Sequence, residues 1–341
     1  MLYKTETQIW DEYVTNAYDM YFGKCKVCVL DIETTGLSAD NSHFVIGGLL
    51  SIGNDGEAQF MQYFVEDLAE EKTVLAKYLE EVSKHDVVLT YNGRNFDLPF
   101  LLTRAEKLEI DVDIIPYNLD LYLVLNRYSS LRKLLPNLKQ KTVEDFMGLW
   151  PYRADKISGA ESAFLYRNYL LLKLNFDETE ECVNLMLLHN KDDVLQLGKL
   201  LSVLEKVDLH KAMYNLGFPI IFNDKKLFVQ NIKFEKNRLK VNGIQAALPV
   251  DFISYGNNDD DCRMVFKKKT GTFEVSFSLL KKNEFTILDL LKLPVSLENI
   301  FEEFPNFESE YLVFMGHNDI KYREVNYFVK QFLLKALEDI L

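Results

Sequence analysis

Val27-Cys28-Val29-Leu30-Asp31-Ile32-Glu33-Thr34-Thr35-Gly36-Leu37 is the stretch whose reading decides the fold. Four apolar residues lead into a run that reads as a central buried strand, and two acids then interrupt it. Residues i and i+2 of a strand share one face, so Asp31 and Glu33 point the same way. Adjacent carboxylates repel unless a cation neutralises them or one takes up a proton. Taken singly, the pair also reads as the polar end of a strand before a turn at Gly36.

Outward from this stretch, apolar runs at Lys26 to Ile32, His43 to Gly53 and Ala58 to Asp67 predict three successive strands, with Asn54 to Gly56 as a hairpin turn. Helical spacing follows at Leu68 to Lys84, then a strand at Asp86 to Tyr91 and a helix at Leu98 to Leu108. Further helical patterns cover Asp120 to Tyr128, Ala160 to Leu172 and Thr179 to Leu204. Strands followed by alternating helices and strands predict an α/β domain, a mixed sheet covered by helices. Beyond Asp208 to Pro219 the texture shifts to short strands, closing with an amphipathic helix from Glu324. The expected organisation is a helical arm over 1–24, an α/β domain over 25–210 and a smaller β-rich α+β domain over 215–341.

Two more stretches carry polar chemistry. In Tyr91-Asn92-Gly93-Arg94-Asn95-Phe96-Asp97-Leu98-Pro99, Asp97 stands ahead of a helix, where it can serve as a simple cap. In His189-Asn190-Lys191-Asp192-Asp193-Val194, His189 and Asp193 lie one helical turn apart on one face. Asp120 reads first as a helix cap and second as a ligand. Cys25 and Cys28 form a CxxC that no second pair or nearby histidine completes, and on a strand they point to opposite faces, so they read as packing residues.

Composition bounds the function. The chain has 341 residues, 48% of them hydrophobic and 27% charged, which suits a folded globular protein. No apolar run approaches the roughly 18–20 residues of a membrane-spanning helix. Four cysteines without an export signal suggest the cytoplasm. A net charge of −13 argues against a general nucleic-acid binder. Yet Leu121 to Val143 holds five bases, Arg127, Arg132, Lys133, Lys139 and Lys141, and no acid, with Tyr122 and Tyr128 interleaved. Such a track suits a single strand with stacked bases. The run Asn257 to Asp261 lacks the spacing of a calcium loop and reads as a surface turn.

Together and in this order, DIETTGL, YNGRNFDLPFL and HNKDDV resemble the three motifs of the DEDD-type 3′→5′ exonucleases of the ribonuclease H-like fold. More narrowly, LPNLKQKTVEDFMG and DKISGAESAFLYRNYL resemble the YprB-like predicted exonucleases, so the likeness spans about 25–205. It implies a phosphodiesterase using two divalent cations, Mg²⁺ or Mn²⁺, on 3′ ends of single-stranded DNA or RNA. Asp31, Glu33, Asp97 and Asp193 would be the metal ligands and His189 the residue that orients or deprotonates water. Hard carboxylate oxygens suit those ions, which clamp a scissile phosphate between them. The family's tyrosine-type branch has the spacing seen here but a tyrosine at the position of His189. In the histidine-type branch the gap is one residue longer, which from His189 falls on Val194. Asp193 keeps the one-turn spacing, with Asp192 as the alternative. Thr34, Thr35, Gly36, Leu37 and Asn92 would approach the terminal nucleotide, and Arg132, Lys133, Lys139 and Lys141 the strand behind it. The competing expectation is a ribonuclease H-like binding or adaptor module whose chemistry is weak or lost.

Overall fold

The computed structural model describes every residue except 1, 12, 54–55, 113–115, 150, 152, 156, 249, 256–260, 298–306, 309 and 341. The chain divides into two compact units, Met1–Val14 with Cys25–Val207, and Thr15–Lys24 with Asp208–Leu341.

The first unit is built on strands β1 (Leu2–Ile9), β2 (Val27–Thr34), β3 (Phe44–Ile52), β4 (Glu57–Phe64), β5 (Val87–Thr90) and β6 (Tyr117–Asp120). Their order across the sheet is β1-β4-β3-β2-β5-β6. β1 to β4 pair antiparallel, whereas β2, β5 and β6 run parallel, which makes the sheet mixed. A parallel neighbour requires a crossover, and helices α2 (Glu71–Ser83) and α3 (Asp97–Lys107) supply it. They cover one face over a core that includes Cys28, Leu30, Ile32, Tyr78, Leu79 and Phe100. Helices α7 (Gly159–Leu174) and α8 (Glu180–Lys199) follow α4 (Leu121–Tyr128), α5 (Leu131–Leu134) and α6 (Gln140–Phe146). On α7 and α8, Tyr166, Tyr169, Met186 and Leu187 pack against Val45, Ile46 and Phe64. With both faces covered, β2 is apolar on both sides until Asp31, as a central strand should be.

The expected helical arm over 1–24 is corrected by the structure. Leu2–Ile9 pairs with β4 along its whole length, and among the described residues of this stretch only Asn16–Phe22 (α1) is helical. The segment's polar sequence hides its role because β1 is an edge strand. Its residues from Tyr3 to Thr7 are exposed, and the charges on Lys4 and Glu6 are a common protection for a sheet edge. Backbone pairing holds it, helped by Leu2 packing against the core, the Glu6–Lys191 ion pair at 2.5 Å and the contact of Tyr3 on Tyr63, ring centroids 5.0 Å apart. The predicted turn at Asn54 to Gly56 lies largely outside the described residues.

In the second unit, α1 stands with α9 (Leu209–Leu216) and α10 (Tyr322–Ile340). Asn326 donates to the Tyr21 hydroxyl at 2.7 Å, and that hydroxyl meets His210 Nδ1 at 2.9 Å. A six-stranded antiparallel sheet comprises β7 (Phe218–Phe222), β8 (Lys225–Glu235), β9 (Arg238–Ala246), β10 (Phe252–Tyr255), β11 (Cys262–Lys267) and β12 (Thr272–Ser278). Phe277 of β12 packs edge-on against Phe328 and Phe332 of α10. A further sheet joins β13 (Leu280–Lys282), β14 (Phe285–Asp289), β15 (Phe307–Glu308), β16 (Tyr311–Gly316) and β17 (Asp319–Ile320). Residues 256–260, which include most of the acidic run, lie outside the described residues.

One close approach sets the position of α8. Gly48 of β3 sits opposite Asp31 of β2, and a Cβ there would lie 2.3 Å from Asn190 Oδ1 and 2.8 Å from Val194 Cγ2. Glycine lets the helix rest directly on the strand pair. Gly48→Ala is expected to cost about 1–3 kcal/mol by overpacking. At about 2–4 °C per kcal/mol that lowers the thermal midpoint by several degrees. Gly159→Ala, where an added methyl meets nothing within 4 Å, should leave the midpoint unchanged or slightly higher. Differential scanning fluorimetry checks both.

Candidate active site

The polar end of β2, the start of α3 and the middle of α8 meet at one end of the first unit. There a cavity of about 720 Å³ is lined by Asp31, Glu33, His189 and Asp193, with Thr34 to Leu37 along one side. Glu33, His189 and Asp193 each offer a ligand atom within 4.8 Å of one another. His189 Nε2 is 3.5 Å from Glu33 Oε1 and 3.5 Å from Asp193 Oδ2.

Each acid is held by a different device. Asn190 donates through Nδ2 to Asp31 Oδ2 at 3.0 Å and to the Asp31 backbone carbonyl at 3.2 Å. Gln62 in turn fixes Asn190, donating to its Oδ1 at 2.9 Å and to the Leu187 carbonyl at 2.8 Å. The buried hydroxyl of Ser162 on α7 supports Glu33. Asp97 is buried at the start of α3, where its carboxylate is supported by the backbone amides of Asp97 and Ile32.

The electrostatics are those of a charge cluster short of cations. Asp31 is pushed well above the usual carboxylate range, by burial first and then by the charges of Asp193, Asp97 and Glu33. Burial raises Glu33 to about 7, with Asp193 and Asp97 adding to the shift while His189 and Ser162 oppose it. Burial likewise takes Asp97 to about 7, with added repulsion from Asp120 and Asp193. Each acid is destabilised as an anion by the others, which is what a bound cation relieves. Hard oxygen donors of this kind, crowded and short of positive charge, fit a hard divalent cation.

His189 is oriented from behind. Its Nδ1 lies 2.7 Å from Asp155 Oδ2. Asp155 is held well below the usual carboxylate range: burial would raise it, but hydrogen bonds from His189, Arg153 and Lys141 prevail. An ionised carboxylate only accepts, so Nδ1 carries the proton and Nε2 faces the cavity. Burial would lower the His189 pKa, yet its bond to Asp155 and the charges of Asp193 and Glu33 raise it.

The two adjacent aspartates of α8 separate cleanly. Asp192 is buried and accepts from the backbone amides of Ala154 at 2.6 Å and Asp155 at 2.7 Å, so it anchors the 154–155 segment. Asp193 lines the cavity. Asp120 caps α4, accepting from Leu123 N at 3.1 Å, and its two oxygens also bind the amides of Asn92 and Arg94 at 2.9 and 3.1 Å. It thus ties down the turn that leads to Asp97.

The residues expected to touch nucleic acid divide. Thr34, Thr35, Gly36, Leu37, Lys139 and Lys141 line the cavity, and Leu37 is 86% exposed at its edge. The Lys141 ammonium is engaged by Asp155 Oδ2 at 3.0 Å and the Ile157 carbonyl at 2.9 Å. Asn92, Arg132 and Lys133 are not among the lining residues. Asn92 adopts φ 65° within its turn and binds the Asn95 side chain at 2.8 Å. Sequence reasoning missed Arg167, which lines the cavity from α7 and donates to the Thr35 carbonyl at 3.2 Å. It also missed Asn190, Arg153 and Asp155, although two of these stand inside quoted motif stretches.

The family model described as RNase H superfamily matches residues 28–205, just over half of the chain, and the chain belongs to that superfamily. A DNA polymerase of Thermococcus litoralis is 31% identical over 93 residues, 25% of this chain but only 6% of the polymerase. Among solved structures, the family B DNA polymerase of Pyrobaculum calidifontis aligns over 56% of this chain and 26% of its own, at 17% identity and a TM-score of 0.40. Exonuclease I aligns over 65% of this chain and 55% of its own, at 10% identity and a TM-score of 0.35. No helix among the described residues is long and apolar enough to cross a membrane.

Removing one crowded charge should stabilise the cation-free protein, as is common where a site is built at the expense of stability. Asp31→Asn, assayed in chelator, is expected to raise the thermal midpoint by a few degrees. Asp192→Asn, which weakens two charge-assisted bonds to backbone amides worth roughly 1.5–3 kcal/mol each, should lower it. Thermal melts that rank these two variants the other way round would contradict the assignment.

Proposed function

We propose that the protein is a divalent-metal-dependent 3′→5′ exonuclease of the DEDD type, resembling the YprB-like branch, acting on single-stranded nucleic acid in the cytoplasm. The observation that carries the reading is the convergence of Glu33, His189 and Asp193 within 4.8 Å at a cavity that Asp31 also lines, in a chain of the RNase H superfamily. The curated polymerase relative, though matched over a small fraction of its length, adds nucleic-acid chemistry to that reading.

In this reading Asp31, Glu33, Asp97 and Asp193 hold two ions, Mg²⁺ or Mn²⁺. When bound, such ions activate water and stabilise the departing oxygen of a phosphodiester. The chain's own contribution is positional. Asn190 holds Asp31, Ser162 holds Glu33, and backbone amides hold Asp97. His189 presents Nε2 to the cavity with its tautomer fixed by Asp155, which suits it to accept a proton from an attacking water. Thr34 to Leu37 border the cavity where a terminal nucleotide would lie, and the exposed Leu37 offers an apolar face for a base. Lys139 and Arg167 supply positive charge at the same opening. The net charge of −13 does not oppose this locally, since two divalent ions would offset the four acids of the site while Lys139 and Arg167 face the cavity.

The test is incubation with 5′-labelled single-stranded DNA and RNA in Mn²⁺, Mg²⁺ or chelator. Stepwise shortening from the 3′ end is expected with metal and none in chelator, and Asp31→Ala should abolish it. Trimming that continues in chelator, or in Asp31→Ala, would sink the mechanism. Binding without any trimming would favour the adaptor reading. His189→Ala should slow turnover by about 10²–10⁴-fold while leaving Mn²⁺ affinity nearly intact.

A further inference from the structure

Behind Asp193 lies a second layer of charge that the proposed chemistry does not use. The side chain of Arg153 is 1% exposed, and its guanidinium reaches three carboxylates at once. Nε and Nη2 fork onto the two oxygens of Glu144 at 2.7 and 2.9 Å. Nη1 donates to Asp155 Oδ1 at 2.7 Å, and Nη2 also pairs with Asp193 Oδ1. Glu144 is fully buried on α6 and takes a further bond from Gln140, whose amide also donates to the Asp193 backbone carbonyl at 3.0 Å.

We infer that Arg153 is a positioning residue that, anchored on Glu144, sets the Asp193 carboxylate and, through Asp155, the His189 ring in the orientation the cations and the attacking water require. The inference rests on the metal-dependent reading of the same site. Its physical content is an allocation of oxygens. Arg153 engages Asp193 Oδ1, leaving Oδ2 as the oxygen 3.5 Å from His189 Nε2. It engages Asp155 Oδ1, leaving Oδ2 for His189 Nδ1 and the Lys141 ammonium. One planar cation therefore selects which oxygen of Asp193 faces the cavity and which nitrogen of His189 does so.

A lysine cannot reproduce this arrangement. Its single ammonium keeps the charge but not the fork, whereas the guanidinium presents donors in a fixed plane to three partners. Burial without such partners would be costly for any cation, and the pKa of Arg153 stays above its ordinary value because Glu144, Asp193 and Asp155 outweigh burial. The sign of the expected effect follows. Deleting the charge would remove a repulsion felt by incoming metal, whereas Arg153→Lys keeps that repulsion and loses only the geometry. Affinity for metal must then fall.

The test is calorimetric titration of the full chain with Mn²⁺ in the absence of nucleic acid, comparing wild type with Arg153→Lys. An affinity about 10–100-fold weaker is expected, the usual cost of disturbing a partner of a metal ligand. In steady-state assays kcat should fall while KM for a single strand stays within about threefold, because Arg153 itself does not line the cavity. A folded Arg153→Lys with wild-type Mn²⁺ affinity would overturn the inference. Should Arg153→Lys fail to fold, Glu144→Asp, which keeps the charge but shortens the anchor, is read the same way: about tenfold weaker Mn²⁺ binding supports the inference and unchanged binding overturns it. A wild-type chain that binds Mn²⁺ but degrades no nucleic acid defeats the nuclease reading while leaving this role of Arg153 intact. A wild-type chain that binds no Mn²⁺ defeats both.

Discussion

Mutual repulsion among Asp31, Glu33, Asp97 and Asp193 is the constraint on which the rest of the first unit depends. Asp31, Glu33 and Asp97 are shifted upward by burial and by neighbouring acids, so these three are uncomfortable as anions where the fold puts them. A hydrophobic sheet covered on both faces ends in this cluster, and the surrounding structure keeps the charges from dispersing. Gly48 lets α8 press onto β2 and β3, which brings Asn190 against Asp31. Asp120 anchors the turn before Asp97, and Asp192 anchors the segment carrying Arg153 and Asp155.

Charge alternates outward from the cavity. Asp193 is backed by Arg153, Arg153 by Glu144 and Asp155, and Asp155 by Lys141 as well as His189. Such a buried network is costly unless every member is paired, and pairing one guanidinium with three carboxylates meets that condition. The consequence is directional. Carboxylates behind the cavity are neutralised within the protein, while those lining it are left for cations from outside. Instability at the cavity and rigidity behind it are two parts of one design.

Much of this was legible in the sequence because it depended on local rules. Strand parity put Asp31 and Glu33 on one face, helical spacing put His189 and Asp193 one turn apart, and apolar density marked β2 to β5 and α8. Asp120 was readable as a cap from its place before an apolar helical run. The strand β1 was not readable, because an edge strand carries charge on its exposed residues and is held by backbone pairing that leaves no periodic trace. Asn190 looked like one more polar residue of α8, since nothing local reveals that a glycine on another strand makes room for it. Arg153, Asp155 and Glu144 were hidden for a related reason: a buried ion network is a property of α6, the 153–155 segment and α8 meeting in space. Lys141 illustrates the converse error in emphasis, a base counted toward a nucleic-acid track whose ammonium is engaged by Asp155 and a carbonyl.

The central claim is that the four carboxylates exist to hold two cations. A crystal structure of the full chain grown with Mn²⁺ and measured at the manganese absorption edge tests it most directly. The account predicts two anomalous peaks roughly 3.5–4 Å apart among Asp31, Glu33, Asp97 and Asp193. Peaks confined to other surfaces, or a cluster that binds no manganese at millimolar concentration, would contradict it.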